Sequence, residues 1–356
     1  MRARILEAYR LDHAVRITLA VSLSLLISHW MHLSISYYGA YLCFNMMLRK
    51  WDQIFFLMII RLIGTLLAAI LALLLLNLFE TNQLLGLTGT FIVMITGCLL
   101  HKSKLFPYGG IILAIYFFMF IWGGILEPTH FSSAIYAMCV QTLLGTILCL
   151  LFSQKSAHKR HYLNLLTTRH PVRPKLAIDM GMLSSSIKFS LCYLSMGILV
   201  TLLKLPISGT ALVPMIMLIN PEYSAGMRYG SNRAMGGILF ILPSLILLML
   251  LQNICDNILI MLPVIAIILF VLAYHGISNG HEYGYCQAAA MLLIVLTAGF
   301  SSMPLQSIFS DVFQRSFGAL LGLAMGWILF MTLFHPESIL ANRHKALSDD
   351  TPHGND

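Results

Sequence analysis

The chain has 356 residues, 58% of them hydrophobic and 10% charged, with a mean hydropathy of +0.84. Soluble domains carry about 25% charged residues, so this composition excludes a water-soluble globular protein. A net charge of +8 does not signal nucleic-acid binding here, because membrane proteins retain Lys and Arg on their cytoplasmic side and look basic overall.

Taken in order, apolar runs predict twelve transmembrane helices, six per half. The first half has 13–33, 36–48, 54–79, 84–100, 107–126 and 131–152; the second has 184–203, 207–220, 233–254, 258–274, 285–300 and 307–334. The longer runs suffice to cross a hydrocarbon core about 30 Å thick. The second run of each half is short, and at about 1.5 Å per residue it reaches only about 20 Å. Lipid tolerates such a partial span only where neighbouring helices cover its backbone. The first run is about 20 residues long and lacks a small-residue cleavage site, which marks a retained span rather than a secretory signal.

Charge sets the expected orientation. With Arg2, Arg4 and Arg10 inside, the inner loops carry Arg49, Lys50, Lys102, Lys104 and Arg228. The stretch 154–182 adds Lys155, Lys159, Arg160, Arg169, Arg173 and Lys175, while the outer loops hold Lys204 and little else that is basic. Both termini are therefore predicted to be cytoplasmic. Six spans per half give the halves one orientation. The predicted fold is an all-α polytopic membrane protein of about twelve helices, built as two parallel six-helix repeats about an axis along the membrane normal. Its units are a first repeat (1–153), a basic cytoplasmic linker (154–182), a second repeat (183–334) and a polar cytoplasmic tail (335–356).

Two stretches carry the doubling. Arg49–Leu67, RKWDQIFFLMIIRLIGTLL, and Pro221–Leu239, PEYSAGMRYGSNRAMGGIL, each join a short apolar run to a long one. At a spacing of 172 residues Arg61 aligns with Arg233, Gly64 with Gly236 and Leu67 with Leu239. Upstream, Arg16 meets Lys188, Ile35 meets Ile207 and Ser36 meets Ser208. After a slip of one residue Gln141 and Gly145 meet Gln314 and Gly318. Basic residues matched in depth within matched apolar runs point to a duplicated membrane unit.

The polar AGMRYGSN before Arg233 puts that residue at the opening of its helix, so Arg61 and Arg233 are both expected near the cytoplasmic interface. Two readings stand side by side. They are snorkelling anchors, or they form a cation pair that, with Arg16 and Lys188 one helix away, faces a shared axis and gathers an organic anion. Arg315 has the neutral Thr142 as its mate, so beside Gln314 it breaks the pseudo-symmetry. Small residues at four-residue spacing, Gly64, Ala68 and Ala72 and again Gly318, Gly322 and Gly326, are expected to let helices approach closely. Trp30, Tyr37, Tyr38 and Tyr41, with Tyr116, Phe117, Phe118, Phe120 and Trp122, read as an interfacial aromatic belt or, where some point inward, as a lining suited to a flat aromatic substrate.

Several chemistries lack their hardware. None of the fourteen Asp and Glu residues falls in the middle of a span, where proton-coupled transporters often keep a carboxylate. The seven cysteines form no CxxC pair, so they read as small buried apolar residues rather than disulfides or zinc ligands. Walker, GxGxxG, GxSxG and HExxH motifs are missing, which removes ATP hydrolysis and the commoner hydrolases. No cofactor, no metal and no enzymatic activity are expected. The one competing constellation is HGISNGHEYG, where His275, His281 and Glu282 would bind a metal or move protons in a membrane-embedded transferase.

The pattern of short span, polar loop and then R-x-x-G-[TG] opening a long helix, repeated in a six-plus-six chain, resembles the fusaric acid resistance/aromatic acid exporter (FUSC-like) family in its compact membrane-subunit form. The resemblance is clearest over 13–75 and 185–247, with its basic–glycine element on Arg61, Gly64 and Thr65 and on Arg233, Gly236 and Gly237. The extra basic neighbour common in that family is replaced by Ile60 and Leu62 and by Asn232 and Ala234. The resemblance implies an inner-membrane efflux subunit that exports small, often aromatic, organic acids and works with a periplasmic adaptor. Expected partners are thus the bilayer, a small organic anion, such an adaptor and further copies of the chain. Arg16, Arg61, Gly64, Gln141, Lys188, Arg233, Gly236, Gln314 and Arg315 are the candidates for the substrate path. A channel or assembly subunit without coupled transport is the other non-enzymatic reading.

Overall fold

A computed structural model describes residues 2–33, 37–48, 54–103, 106–126, 131–153, 180–202, 223–251, 258–279 and 282–299, with single positions at 310, 313, 321, 324 and 328. Among these residues there are ten helices and no strand. They are α1 (Arg2–Trp30), α2 (Tyr37–Met47), α3 (Ile54–Thr81), α4 (Gln83–Lys102), α5 (Pro107–Leu126), α6 (Phe131–Phe152), α7 (Met180–Leu202), α8 (Tyr223–Leu251), α9 (Ile258–Asn279) and α10 (Glu282–Gly299). Seven of them, α1, α3 to α7 and α9, contain stretches long and apolar enough to cross a membrane. The chain is a helical membrane protein.

The expected spans 207–220 and most of 307–334, the linker as far as 179 and the tail lie outside the described residues. So do Gln314 and Arg315. Three boundaries differ most from expectation, one being that α9 runs on to Asn279 rather than 274 and so takes in His275. Helix α1 begins at Arg2 and α8 at Tyr223, so Arg233 is the eleventh residue of α8 rather than its opening. Hydropathy marks where a helix becomes apolar, whereas the backbone ladder runs on through polar residues that suit a helix equally well. Helix α8 also continues through Pro243, and α9 through Pro263.

Local chemistry fixes the helix ends. Past Trp30, His32 adopts a left-handed φ of 51° while Leu33 N–H donates to Ser28 O at 3.1 Å. That pattern satisfies the last carbonyls of a helix as the chain reverses. Between α3 and α4 the single residue Asn82 caps the second helix, its side chain accepting from Leu84 N and Leu85 N at 3.0 and 3.2 Å. Pro107 stands at the first position of α5, where its missing N–H costs nothing. Within the spans Thr65, Thr90, Thr142, Thr146 and Ser190 return their hydroxyls to the carbonyl one turn back, which keeps them compatible with an apolar surrounding.

Helix α5 is the hub: 78% of its span is buried, against 28% for α4. It packs on α3 and α4 and touches α6 and α7. Two adjacent glycines make this possible. A Cβ on Gly64 of α3 would lie 3.0 Å from the carbonyl oxygen of Gly109, and one on Gly97 of α4 would lie 2.8 Å from that of Gly110. The buried Ala68 and Ala72 continue the small-residue face of α3, as its spacing predicts. Farther along α5, Trp122 Nε1 donates to Thr201 Oγ1 of α7 at 2.9 Å, while Phe118 stacks on Trp122 and meets Tyr193 edge-on. Helix α2 lies against α1, α6 and α10, α1 against α9, α4 against α7, and α8 against α10.

Gly97→Ala places a methyl against backbone that cannot yield, and overpacking of this kind costs about 1–3 kcal/mol. We expect a lower thermal midpoint for Gly97→Ala when size-exclusion profiles are followed after heating. Gly123→Ala, where nothing lies within 4 Å of the new Cβ, should leave the midpoint unchanged.

Candidate functional site

Arg61 is the eighth residue of α3, about 10 Å along the helix from Ile54. It does not snorkel: the residue is 6% exposed and its guanidinium turns into the protein. Nη1 donates to Tyr108 Oη at 2.8 Å. Nη2 donates to Tyr38 Oη at 3.2 Å and also to Tyr116 Oη. The hydroxyls of Tyr38 and Tyr116 are themselves hydrogen-bonded, and the guanidinium carbon lies 5.6 Å from the Tyr116 ring centroid, within cation–π range. Tyr108 passes its own proton toward Met46 Sδ at 3.8 Å.

The R-x-x-G spacing has a physical reason in this geometry. Gly64, one turn beyond Arg61, is where α3 meets the backbone of α5 at Gly109. Tyr108 precedes that crossing by one residue and Tyr116 follows it by about two turns. Tyr38 arrives from the second position of α2. Phenol oxygens accept well from a guanidinium, but they carry no charge to balance it. Among the described residues no carboxylate pairs with Arg61, and its Nε–H is buried without a hydrogen-bond partner. A buried cation in this state favours any anion that can reach it.

A second polar knot adjoins the first. Gln141 of α6 is fully buried, and its Oε1 accepts from Ser28 Oγ of α1 and from Gly39 N–H of α2, each at 3.0 Å. Gln141 thereby binds three helices together one residue away from Tyr38.

The other expected path residues are dispersed. Arg16 is held by Asp12 on its own helix, Nε to Oδ2 at 2.8 Å, and it shares none of the partners of Arg61. Lys188 is half-buried on α7. Gly236 is at another close crossing, because a Cβ there would overlap the backbone of Gly284. His275 is exposed on α9 and His281 lies outside the described residues. Among the described residues no three His, Cys, Asp or Glu gather where they would hold a metal.

The expected aromatic belt divides. Trp30 is 81% exposed and fits a belt, but Tyr38, Tyr116, Phe117, Phe118, Phe120 and Trp122 are buried. They follow packing and the needs of Arg61 rather than the bilayer surface. Tyr38, Tyr108 and Tyr116 were not among the expected path residues. The available signal was a tyrosine embedded in AIYFFMF, since a buried phenol requires a partner for its hydroxyl. Five cysteines (Cys43, Cys98, Cys149, Cys192 and Cys286) are buried thiols, as their apolar context predicts.

No protein-family profile, curated protein or solved structure matches this chain.

Removing an acceptor from a buried charged donor costs about 1–3 kcal/mol. Tyr116→Phe, which affects both Arg61 and Tyr38, should lower the melting temperature in detergent more than Tyr108→Phe at the half-buried edge of the cluster. Equal midpoints for the two variants would contradict the hydrogen-bond assignment.

Proposed function

We propose that the chain is an inner-membrane efflux subunit that exports small organic acids, aromatic acids among them. The observation that carries this reading is Arg61: a guanidinium buried in a membrane helix bundle, ringed by three phenols, with no described carboxylate beside it. Ionisable groups inside a membrane bundle are costly and tend to serve substrates or ions. A carboxylate entering here would gain the guanidinium, including the unused Nε–H, and lose little more than its own hydration. In this reading Arg61 is the binding charge, Tyr38, Tyr108 and Tyr116 set its orientation, and no residue is catalytic.

The architecture that goes with it is two parallel six-helix repeats with both termini in the cytoplasm. Several observations support the duplication. Shifted by 172 residues, Trp30 at the end of α1 coincides with Leu202 at the end of α7. Under the same shift α3, α4 and α5 overlay α8, α9 and α10 within a few residues. The pairs α1 with α9 and α4 with α7 are then one contact made twice, the reciprocity expected of two units about a common axis. Gly64 meets Gly109 and Gly236 meets Gly284; Arg61 and Arg233 precede the first glycine of each pair by three residues, and Tyr108 and Tyr283 precede the second by one. The FUSC-like resemblance rests on the same basic–glycine element, and it is the source of the periplasmic adaptor in this proposal.

The test is export of radiolabelled benzoate from cells that express the chain. Arg61→Gln should reduce the outward flux about tenfold or more, the scale of losing one charged contact, while Gly123→Ala and His275→Ala retain it. Flux unchanged in Arg61→Gln would overturn the anion reading. Loss in His275→Ala alone would favour the transferase.

A further inference from the structure

We infer that Gln141 is a positioning residue for the anion site, fixing Tyr38 against Arg61 through the backbone of Gly39. The inference rests on the anion reading of Arg61 and adds the element that sets its geometry. Because a backbone N–H can only donate, the atom of Gln141 facing Gly39 is the amide oxygen. That oxygen takes two hydrogen bonds, from Gly39 N–H and Ser28 Oγ. The amide Nε2 is buried without a partner, so the side chain acts through its oxygen.

The approach is as close as a backbone allows. A Cβ on Gly39 would overlap Gln141 Oε1 and lie 2.8 Å from Ser24 Oγ and 3.1 Å from the Gln141 carbonyl oxygen. One turn on, Cys43 Sγ reaches Gly145 O at 3.5 Å, and a Cβ on Gly145 would lie 3.2 Å from Gly39 O. Helix α2 has 11 residues, too few to be oriented by its own length, and this seam with α6 holds it in place together with its packing on α1 and α10. Tyr38 is the residue next to Gly39, and its hydroxyl is shared between Arg61 Nη2 and Tyr116. Withdrawing the amide oxygen frees the start of α2 and moves the Tyr38 hydroxyl. The guanidinium is then less well held, although Gln141 itself never touches the anion.

The experiment measures benzoate affinity of the purified full-length protein in detergent by scintillation proximity, with melting temperatures recorded for each variant. Gln141→Met, of similar size but without an acceptor, should weaken binding about five- to tenfold, the scale of one hydrogen bond to a buried site. Ser28→Ala, which removes the second donor to the Gln141 oxygen and leaves its bond to Gly39 N–H in place, should stay within about twofold of the parent chain. Tyr38→Phe should weaken binding to a similar degree as Gln141→Met, and the double variant should be no weaker than the worse single one, because both act on one hydroxyl. If Gln141→Met does not fold, Gln141→Asn, which retracts the oxygen by one methylene, replaces it with the same expectation. Effects that multiply in the double variant, or a Ser28→Ala as weak as Gln141→Met, overturn the positioning role. Arg61→Gln separates the two levels. Binding lost in Arg61→Gln alongside multiplying Gln141 and Tyr38 effects sinks the positioning role alone, whereas binding retained in Arg61→Gln sinks the anion site and this inference with it.

Discussion

A guanidinium that never loses its charge, held inside a membrane bundle, constrains everything around it. Transfer of an unpaired ion out of water is costly, and phenol hydroxyls offset only part of that cost. Three of them converge on Arg61 from two different helices, and each must be presented at the correct height. Those requirements account for features that would otherwise look unrelated: a short α2, glycines where α3 crosses α5, and tyrosine where phenylalanine would satisfy packing. The arrangement leaves a full positive charge solvated by dipoles, with no carboxylate beside it among the described residues.

Close helix approach is what delivers the dipoles. Gly109 and Gly110 turn α5 into a hub that touches α3 on one side and α4 on the other at backbone distance. With bulkier residues there the helices would stand apart and Arg61 would not reach Tyr108. The glycines of the R-x-x-G element and the arginine are therefore one device, in which sequence spacing becomes distance between helices and distance becomes hydrogen-bond geometry. The aromatic contact of Phe118 and Trp122 with Tyr193 and Thr201 extends the same hub to α7.

Much of this is legible in the sequence, and the remainder is illegible for identifiable reasons. Helices α2, α5 and α6 agree with the predicted runs to within a residue or two at each end, because Pro, Ser, His or charged residues in the sequence bound their apolar stretches. Helices α1 and α8 begin earlier than hydropathy indicates, since polar residues such as those before Arg233 prolong a helix without an apolar signature. Arg61 and Gly64 stand out by repetition, but the depth of Arg61 does not. The second copy suggested an interfacial place, and only the close crossing at Gly109 reveals the burial. Tyr38 and Tyr116 were hidden by their neighbours, because one-dimensional clustering of aromatics is the same for an interfacial belt and for a buried cage. Gln141 was legible as a polar residue matched between halves; that its oxygen binds Gly39 and Ser28 is a three-helix fact with no local signal.

The account turns on Arg61 having an exogenous anion, rather than a carboxylate of this chain, as its counter-charge. A crystal of the full-length protein grown with 4-bromobenzoate, analysed at the bromine absorption edge, examines that point directly. The account predicts an anomalous peak beside the cluster, with the carboxylate on Arg61 and within reach of Tyr38, Tyr108 and Tyr116. An Asp or Glu side chain of the protein paired with Arg61, and no bromine near it, would contradict the account.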